Sequence, residues 1–111
     1  MPKQMEQEKY ALVRRAILER KQIVAMYDTH PREMCPHVLG RKDGSPQALF
    51  YQFGGESSSR PIGPPGATEN WRCMFISDLS DVEVRDGPWY TAANHSQMQS
   101  CVDDVDVKVT A

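Results

Sequence analysis

Hydrophobic positions follow two different periods along this chain, and the change of period predicts a helix followed by strands. Between residues 4 and 22 the apolar side chains recur at helical spacing, and no Gly or Pro interrupts them. The apolar arc consists of Met5, Leu12, Val13, Ala16 and Ile17. We therefore predict an amphipathic helix that buries this arc against a sheet or against a second chain.

From residue 23 to residue 85 the apolar positions shift to the two-residue period of β-strands. Turn-forming residues divide this region at 28–31 and at Asp43-Gly44. The predicted strand at 33–39 contains Pro36, which restricts it to an edge or a bulge because proline cannot donate to the ladder. After the second turn, alternation places Leu49, Tyr51 and Phe53 on one face and Phe50 and Gln52 on the other.

The remaining segments alternate between loop and strand composition. Residues 54–70 are rich in Gly, Ser and Pro and predict a mobile loop. Strand patterns resume at 71–76 and at 79–85, and residues 89–101 stay unassigned between a short helix and irregular structure. At 102–110 valines alternate with charged residues, which is typical of the solvent face of an edge strand.

This order of elements predicts one domain over residues 1–111, of the α+β class and mostly β. We expect a small, strongly bent antiparallel sheet or an SH3-like, partly open barrel at 23–85, with the N-terminal amphipathic helix lying across it.

Composition narrows the class of protein. The chain has 111 residues, of which 40% are hydrophobic, without a long apolar run, so it belongs with globular proteins and we expect no membrane partner. Its polar N-terminus lacks the apolar stretch of a secretory signal, which favours a cytoplasmic location. The three cysteines are odd in number and form no Cys-x-x-Cys pair, so we expect reduced thiols and not a disulfide framework.

Charge is distributed unevenly along the chain. The net charge is −2, which argues against generic nucleic-acid binding, but residues 1–42 carry nine Lys/Arg against five Asp/Glu, whereas residues 43–111 carry four against ten. This asymmetry favours either a basic patch, head-to-tail association of copies, or an ordinary solvated surface.

Several segments together resemble the WYL domain, a small SH3-like regulatory barrel of bacteria. They are the helix leading into a strand that ends at Tyr27, Met34-x-Pro36-x-x-Leu39, Phe50-Tyr51, and Met74-x-Ile76-x-x-Leu79-x-x-Val82-x-Val84, within residues 12–85. The resemblance implies a domain that senses a ligand, often a nucleic acid or nucleotide, through basic and aromatic residues in a groove. The chain departs from the family where the naming triplet reads Phe50-Tyr51-Gln52, and where Phe75 and Asp78 occupy a segment that tends to carry arginines.

Catalytic and metal chemistry is weakly indicated. Cys35 and His37 would begin a zinc site only if Cys73, Cys101, His30 or His95 converged on them, and their spacing matches no zinc finger. We expect Cys35 in the core or in half-buried packing, and His37 at the surface. No cysteine lies in an obvious thiolate-stabilising setting, although Arg72 adjoins Cys73. We predict neither a cofactor nor a metal, and no enzyme.

The sequence thus predicts a non-catalytic regulatory or binding module for a partner or small anionic ligand, with a nucleotide or nucleic acid as one possibility. Its ligand groove would be edged by Arg41, Tyr51, Arg60 and Arg72. The alternative is a homo-oligomerising interaction module that uses the helix arc and the exposed edge strand and binds no small ligand.

Overall fold

One helix and six strands make up most of the part of the chain that the computed structural model describes, which is residues 4–56, 62–63, 70–91 and 101–109. The elements in chain order are α1 (Glu6–Glu19), β1 (Gln22–Tyr27), β2 (His30–Lys42), β3 (Ser45–Gly55), β4 (Trp71–Phe75), a 3-10 turn (Ile76–Asp78), β5 (Ser80–Arg85) and β6 (Asp104–Lys108). The prediction of an α+β, mostly β fold is confirmed.

The strands form one antiparallel sheet that is not closed, in the order β4-β3-β2-β1-β5. Along the edge that faces away from β3, the long strand β2 pairs with two different strands. Its first half pairs with β1, ending at Ile23 opposite Met34, and its second half pairs with β6, beginning at Val38 opposite Lys108. Pro36 lies in the gap between these two partners and at a register irregularity, as expected for a residue that cannot donate to the ladder.

The helix covers one face of the sheet, which we call the helix face. Val13, Ala16 and Ile17 are buried against sheet residues, so most of the predicted arc packs on the chain's own sheet. Met5 is the exception, since it precedes α1 and is 57% exposed. The sheet contributes Ile23, Ala25, Met34, Leu39, Ala48, Phe50, Met74 and Val82 to this core.

The opposite face carries most of the aromatic side chains, and we call it the aromatic face. Cys35 and Tyr51 are fully buried there, with Phe53, Trp71, Trp89 and Tyr90 packed around them. A second cluster on the same face consists of Val38, Leu49, Cys101 and Val102. Leu49, Tyr51 and Phe53 therefore share a face, as the alternation of β3 predicts.

Two-residue turns close both hairpins that involve β2. Asp28 and Thr29 have φ values of 52° and 61°, and Asp43 and Gly44 have values of 51° and 84°. Positive φ at both central positions is typical of the turn whose twist matches paired strands. The predicted Asp43-Gly44 turn is therefore confirmed, and it fixes the register of β2 against β3.

The expectation of three reduced thiols is wrong. Cys73 and Cys101 form a disulfide, with their Cα atoms 5.5 Å apart, while Cys35 is free. The pairing arises because the C-terminal segment returns over the aromatic face to Cys73, a contact between residues 28 positions apart that local pattern does not reveal.

The predicted loop at 54–70 also begins too early, since β3 continues to Gly55. Residues 57–61 and 64–69 of that loop lie outside the described part of the chain.

Candidate functional site

The four residues predicted to edge a groove lie apart or outside the described ranges. Tyr51 is fully buried on the aromatic face, whereas Arg72 stands opposite Phe50 and so lies on the helix face. Arg41 is exposed at the end of β2, where its Nη1 donates to the Gly44 carbonyl at 3.2 Å. Arg60 lies outside the described residues.

These positions follow from strand geometry. Trp71 and Arg72 are consecutive on β4, so their side chains point to opposite faces, and only Trp71 joins Tyr51. The β3 partners of Arg41 and Arg72 are Pro46 and Phe50. Those partners are four positions apart on β3, which is about 13 Å along the sheet. Arg72 therefore lies on the face of the sheet opposite to that of Tyr51.

A different arginine, Arg32 of β2, is buried on the helix face. Its side chain is 2% exposed. Nη1 donates to Gln52 Oε1 and Nη2 donates to the Tyr27 carbonyl, both at 3.2 Å, and the guanidinium lies 5.2 Å from the centre of the Tyr27 ring. Sequence reasoning missed this residue because an arginine three residues after a turn is typical of an exposed strand end.

The charge of Arg32 has no direct counterion. No described carboxylate forms an ion pair with it, and its buried Nε–H has no hydrogen-bond acceptor. Burial lowers the pKa of Arg32, and the more distant Asp28, Tyr27 and Glu56 oppose that shift. Burying a cation without a paired anion costs free energy, so this guanidinium is a site that an anion would stabilise.

Gln52 extends this site along the helix face. It is fully buried, and its Nε2 donates to the carbonyls of Gly54 and Glu56 at 3.0 and 2.7 Å. Arg72 lies on the same face but apart from Arg32, because their β3 partners, Phe50 and Gly55, are five positions apart, about 16 Å along the sheet. We call Arg32 and Gln52 the arginine site. It offers N–H donors and positive charge in a region of low dielectric, which suits the oxygens of a carboxylate or phosphate.

His37 lies in the middle of the aromatic face, and the expectation of a surface side chain is wrong. It is fully buried between Trp71 and Trp89, with ring centres 4.8 and 4.9 Å from its own. Its Nδ1 lies 2.9 Å from the Cys35 carbonyl, which only accepts, so Nδ1 carries a proton. In the neutral ring Nε2 then accepts from the Thr91 hydroxyl at 3.1 Å. His37 therefore anchors Thr91 to the sheet.

The described residues provide little for metal or thiol chemistry. Within ranges 4–56, 62–63, 70–91 and 101–109, no group of three or more His, Cys, Asp or Glu side chains is placed to hold a metal ion. His95, one of the predicted candidates, lies outside these ranges. Burial raises the pKa of Cys35 to about 11, although the Tyr90 N–H, 3.3 Å from its sulfur, acts in the opposite direction. Cys35 is therefore a protonated core thiol, and its predicted place in the core is confirmed.

The basic and acidic parts of the chain form ion pairs with each other. Among the described residues, ion pairs join the N-terminal and C-terminal parts: Arg14 with Asp106, Lys21 with Asp86, Lys42 with Asp103, and Arg85 with Glu33. Head-to-tail association would pair these charged side chains with those of a second copy. In the structure they are already paired within one chain.

Comparison with known proteins adds no assignment, since no family model, curated protein or solved structure matches the chain. Among the described residues, no helix has the length and apolar content needed to cross a membrane.

Proposed function

We propose that this chain is a non-catalytic binding module that holds a small oxyanion at the arginine site. The observation that carries the proposal is Arg32, which is almost fully buried, lacks a paired carboxylate among the described residues and retains a buried N–H without an acceptor. Structural arginines in a core are normally paired, so an unpaired one indicates a group whose partner is a ligand.

The chemistry of the site favours a carboxylate or phosphate group. A guanidinium presents planar, parallel N–H donors that match two oxygens of such an anion, and it keeps its charge at physiological pH. Gln52 holds Arg32 in place through its Oε1. The resemblance to WYL domains supports the same class of ligand, and a nucleotide phosphate falls within it.

The alternative function is self-association without a small ligand. It would use a surface that differs from the helix arc suggested by the sequence. Most of the helix arc is occupied by the sheet, so it is not available to a second copy. Leu18 on α1 and Val105 on β6 are 59% and 43% exposed, and these elements are neighbours. An interface through them would raise the mass measured by light scattering as concentration increases, and Leu18→Glu would abolish that rise.

Titration of the purified chain with inorganic phosphate, citrate and AMP tests the anion proposal. We expect at least one to raise the melting temperature and to bind in calorimetry, with an affinity that falls as salt rises. Arg32→Gln should weaken binding by about tenfold or more, because it removes a charge-assisted contact. Arg15→Gln is the matched control, since Arg15 is exposed on α1 and its ion pair among the described residues is with Glu19. Equal affinity in Arg32→Gln and the parent chain, or no response to any of the three anions, would refute the proposal.

A further inference from the structure

The disulfide fastens the C-terminal segment across the aromatic face. Cys73 lies on β4 at one side of the sheet, while the segment that follows Cys101 pairs as β6 with β2, two strands away. We call residues 101–109 the C-terminal strap. Between these points Cys101 and Val102, each 4% exposed, pack on Val38 and Leu49. The strap is therefore held by the disulfide at its start and by strand pairing beyond it, and half-exposed ion pairs from Lys42 to Asp103 and from Arg14 to Asp106 add to these.

The strand-pairing end of the strap, β6, buries few of its side chains. All but one of the side chains from Asp104 to Lys108 are exposed, and Val107 is the half-buried exception. Backbone bonds from Asp103 N to the Arg41 carbonyl and from Val109 N to the His37 carbonyl, of 2.9 and 2.8 Å, flank β6. Edge strands that bury few side chains open at low free-energy cost, so the disulfide contributes much of what holds the strap in place.

The rest of the fold has its own core. Of the buried residues that form the main hydrophobic cluster, only Val109 comes from the strap, and the others belong to α1, β1–β5 and the 3-10 turn with its following residue. Strands β1 to β5 pair with one another independently of β6. The helix and these five strands thus retain most of their buried apolar area if the strap leaves.

We propose that the Cys73–Cys101 disulfide is a reversible redox clasp, whose reduction releases the strap from the aromatic face while α1 and β1–β5 stay folded. This device is independent of the proposed anion site. The side chain of Cys101 is buried, whereas Cys73 is exposed, so a thiol reductant reaches the clasp at Cys73.

The exchange balances with a dithiol as the reductant. A thiolate of the dithiol attacks Cys73 Sγ, the S–S bond breaks, and Cys101 leaves as a thiolate that takes a proton from water. The second thiol of the reagent then attacks the mixed disulfide, which releases Cys73 and forms the oxidised, cyclic reagent. The protein gains two electrons and two protons, and the dithiol loses them. Cys35 does not compete, because it is buried and protonated.

Hydrogen exchange followed by mass spectrometry, with and without dithiothreitol, tests the clasp on the full chain. We expect strap amides to exchange about tenfold faster or more after reduction, while amides of α1 and β1–β3 change by about twofold or less. Trp71 contacts the strap, so its fluorescence should shift to the red. Reoxidation should restore both signals.

Two variants separate the clasp from general destabilisation. Cys73→Ser/Cys101→Val keeps apolar packing at 101 and should behave like the reduced chain with or without dithiothreitol, whereas Cys35→Ala should keep the full response to reduction. Three results would overturn the proposal: equal acceleration in strap and core, no acceleration in the strap, or a double variant that does not fold. Three titratable thiols in the chain purified without reductant would also overturn it.

Discussion

Lys9 and Leu79 are joined by a 2.8 Å hydrogen bond from the Lys9 ammonium to the Leu79 carbonyl, which ties the helix to the turn between β4 and β5. The same ammonium donates to the Ser77 carbonyl at 3.1 Å. Lys9 is 7% exposed, so both bonds are shielded from water. Lys9 belongs by type to the polar surface of the helix. It nevertheless fixes the connection between β4 and β5, and β5 is the strand that pairs with β1.

Replacing Lys9 with Met should lower the free energy of unfolding by about 1–3 kcal/mol, because two carbonyls lose a charged donor while the aliphatic stem is kept. Urea unfolding followed by circular dichroism measures this change. Lys108→Met, at an exposed position of β6, is the control and should change stability by less than about 0.5 kcal/mol. Equal effects of the two substitutions would show that the Lys9 bonds add nothing.

Tyr10 should make stability depend on alkaline pH. Burial, followed by the 2.7 Å hydrogen bond to Asp106, raises the pKa of Tyr10 to about 12 from 10.0. The folded state thus favours the neutral phenol, so this stabilisation is complete below pH 10 and is lost as the pH rises from there through about 12. Tyr10→Phe should lose less stability over that range than the parent chain, as measured by urea unfolding at successive pH values.

Tyr27 also contributes to the loss of stability at alkaline pH. Burial also raises the pKa of Tyr27, so part of the alkaline loss should persist in Tyr10→Phe. Identical pH profiles for the parent chain and Tyr10→Phe would contradict the role of the Tyr10–Asp106 bond.

Cys35 should resist alkylation in the folded chain. A pKa of about 11 in place of 9.0 reduces its thiolate fraction near neutral pH, a decrease on the order of 100-fold for a shift of this size. Iodoacetamide labelling read by peptide mass spectrometry should therefore be slow in buffer and fast in urea. Labelling of Cys35 at the same rate in both conditions would show that the thiol is accessible and ionised.

Gly40 should not tolerate a side chain. A Cβ there would overlap the Asp104 carbonyl oxygen and come within 2.6 Å of Val102 Cγ1. Gly40→Ala should therefore displace the strap and cost about 1–3 kcal/mol of stability, with faster hydrogen exchange in β6. Gly44→Asn is the control, because Asn tolerates positive φ and a Cβ at that turn meets nothing within 4 Å. If Gly40→Ala is as mild as its control, the close approach of strap and β2 is not required.

Sequence reasoning succeeded for features that depend on neighbouring residues. The apolar spacing before residue 22 predicted α1, the Asp43-Gly44 pair predicted the second hairpin, and alternation along β3 assigned Tyr51 and Phe50 to opposite faces. It also placed Pro36 at a bulge or an edge. Periodicity and turn chemistry are local, so the residues that carry them are enough to predict them.

The candidate site was predicted less well, because it depends on what covers each face. Arg72 was chosen for its charge and aromatic neighbours, but β4 turns it away from Tyr51. His37 was expected at the surface, and Arg32, just before the predicted strand at 33–39, was not singled out, yet both are buried. The type of a residue does not distinguish a strand position that another segment buries from one that faces solvent.

The sequence by itself determined the helix, the turns, the mostly β class and the faces of β3, since these follow from steric and hydrophobic rules acting over a few residues. Only the tertiary structure decided that Arg32 is buried, without a paired carboxylate among the described residues, and that Cys73 meets Cys101. Those relationships join residues 28 positions apart in the disulfide, and 20 apart between Arg32 and Gln52. The physical reason is that burial and pairing depend on how the whole chain closes its core, which a local pattern does not encode.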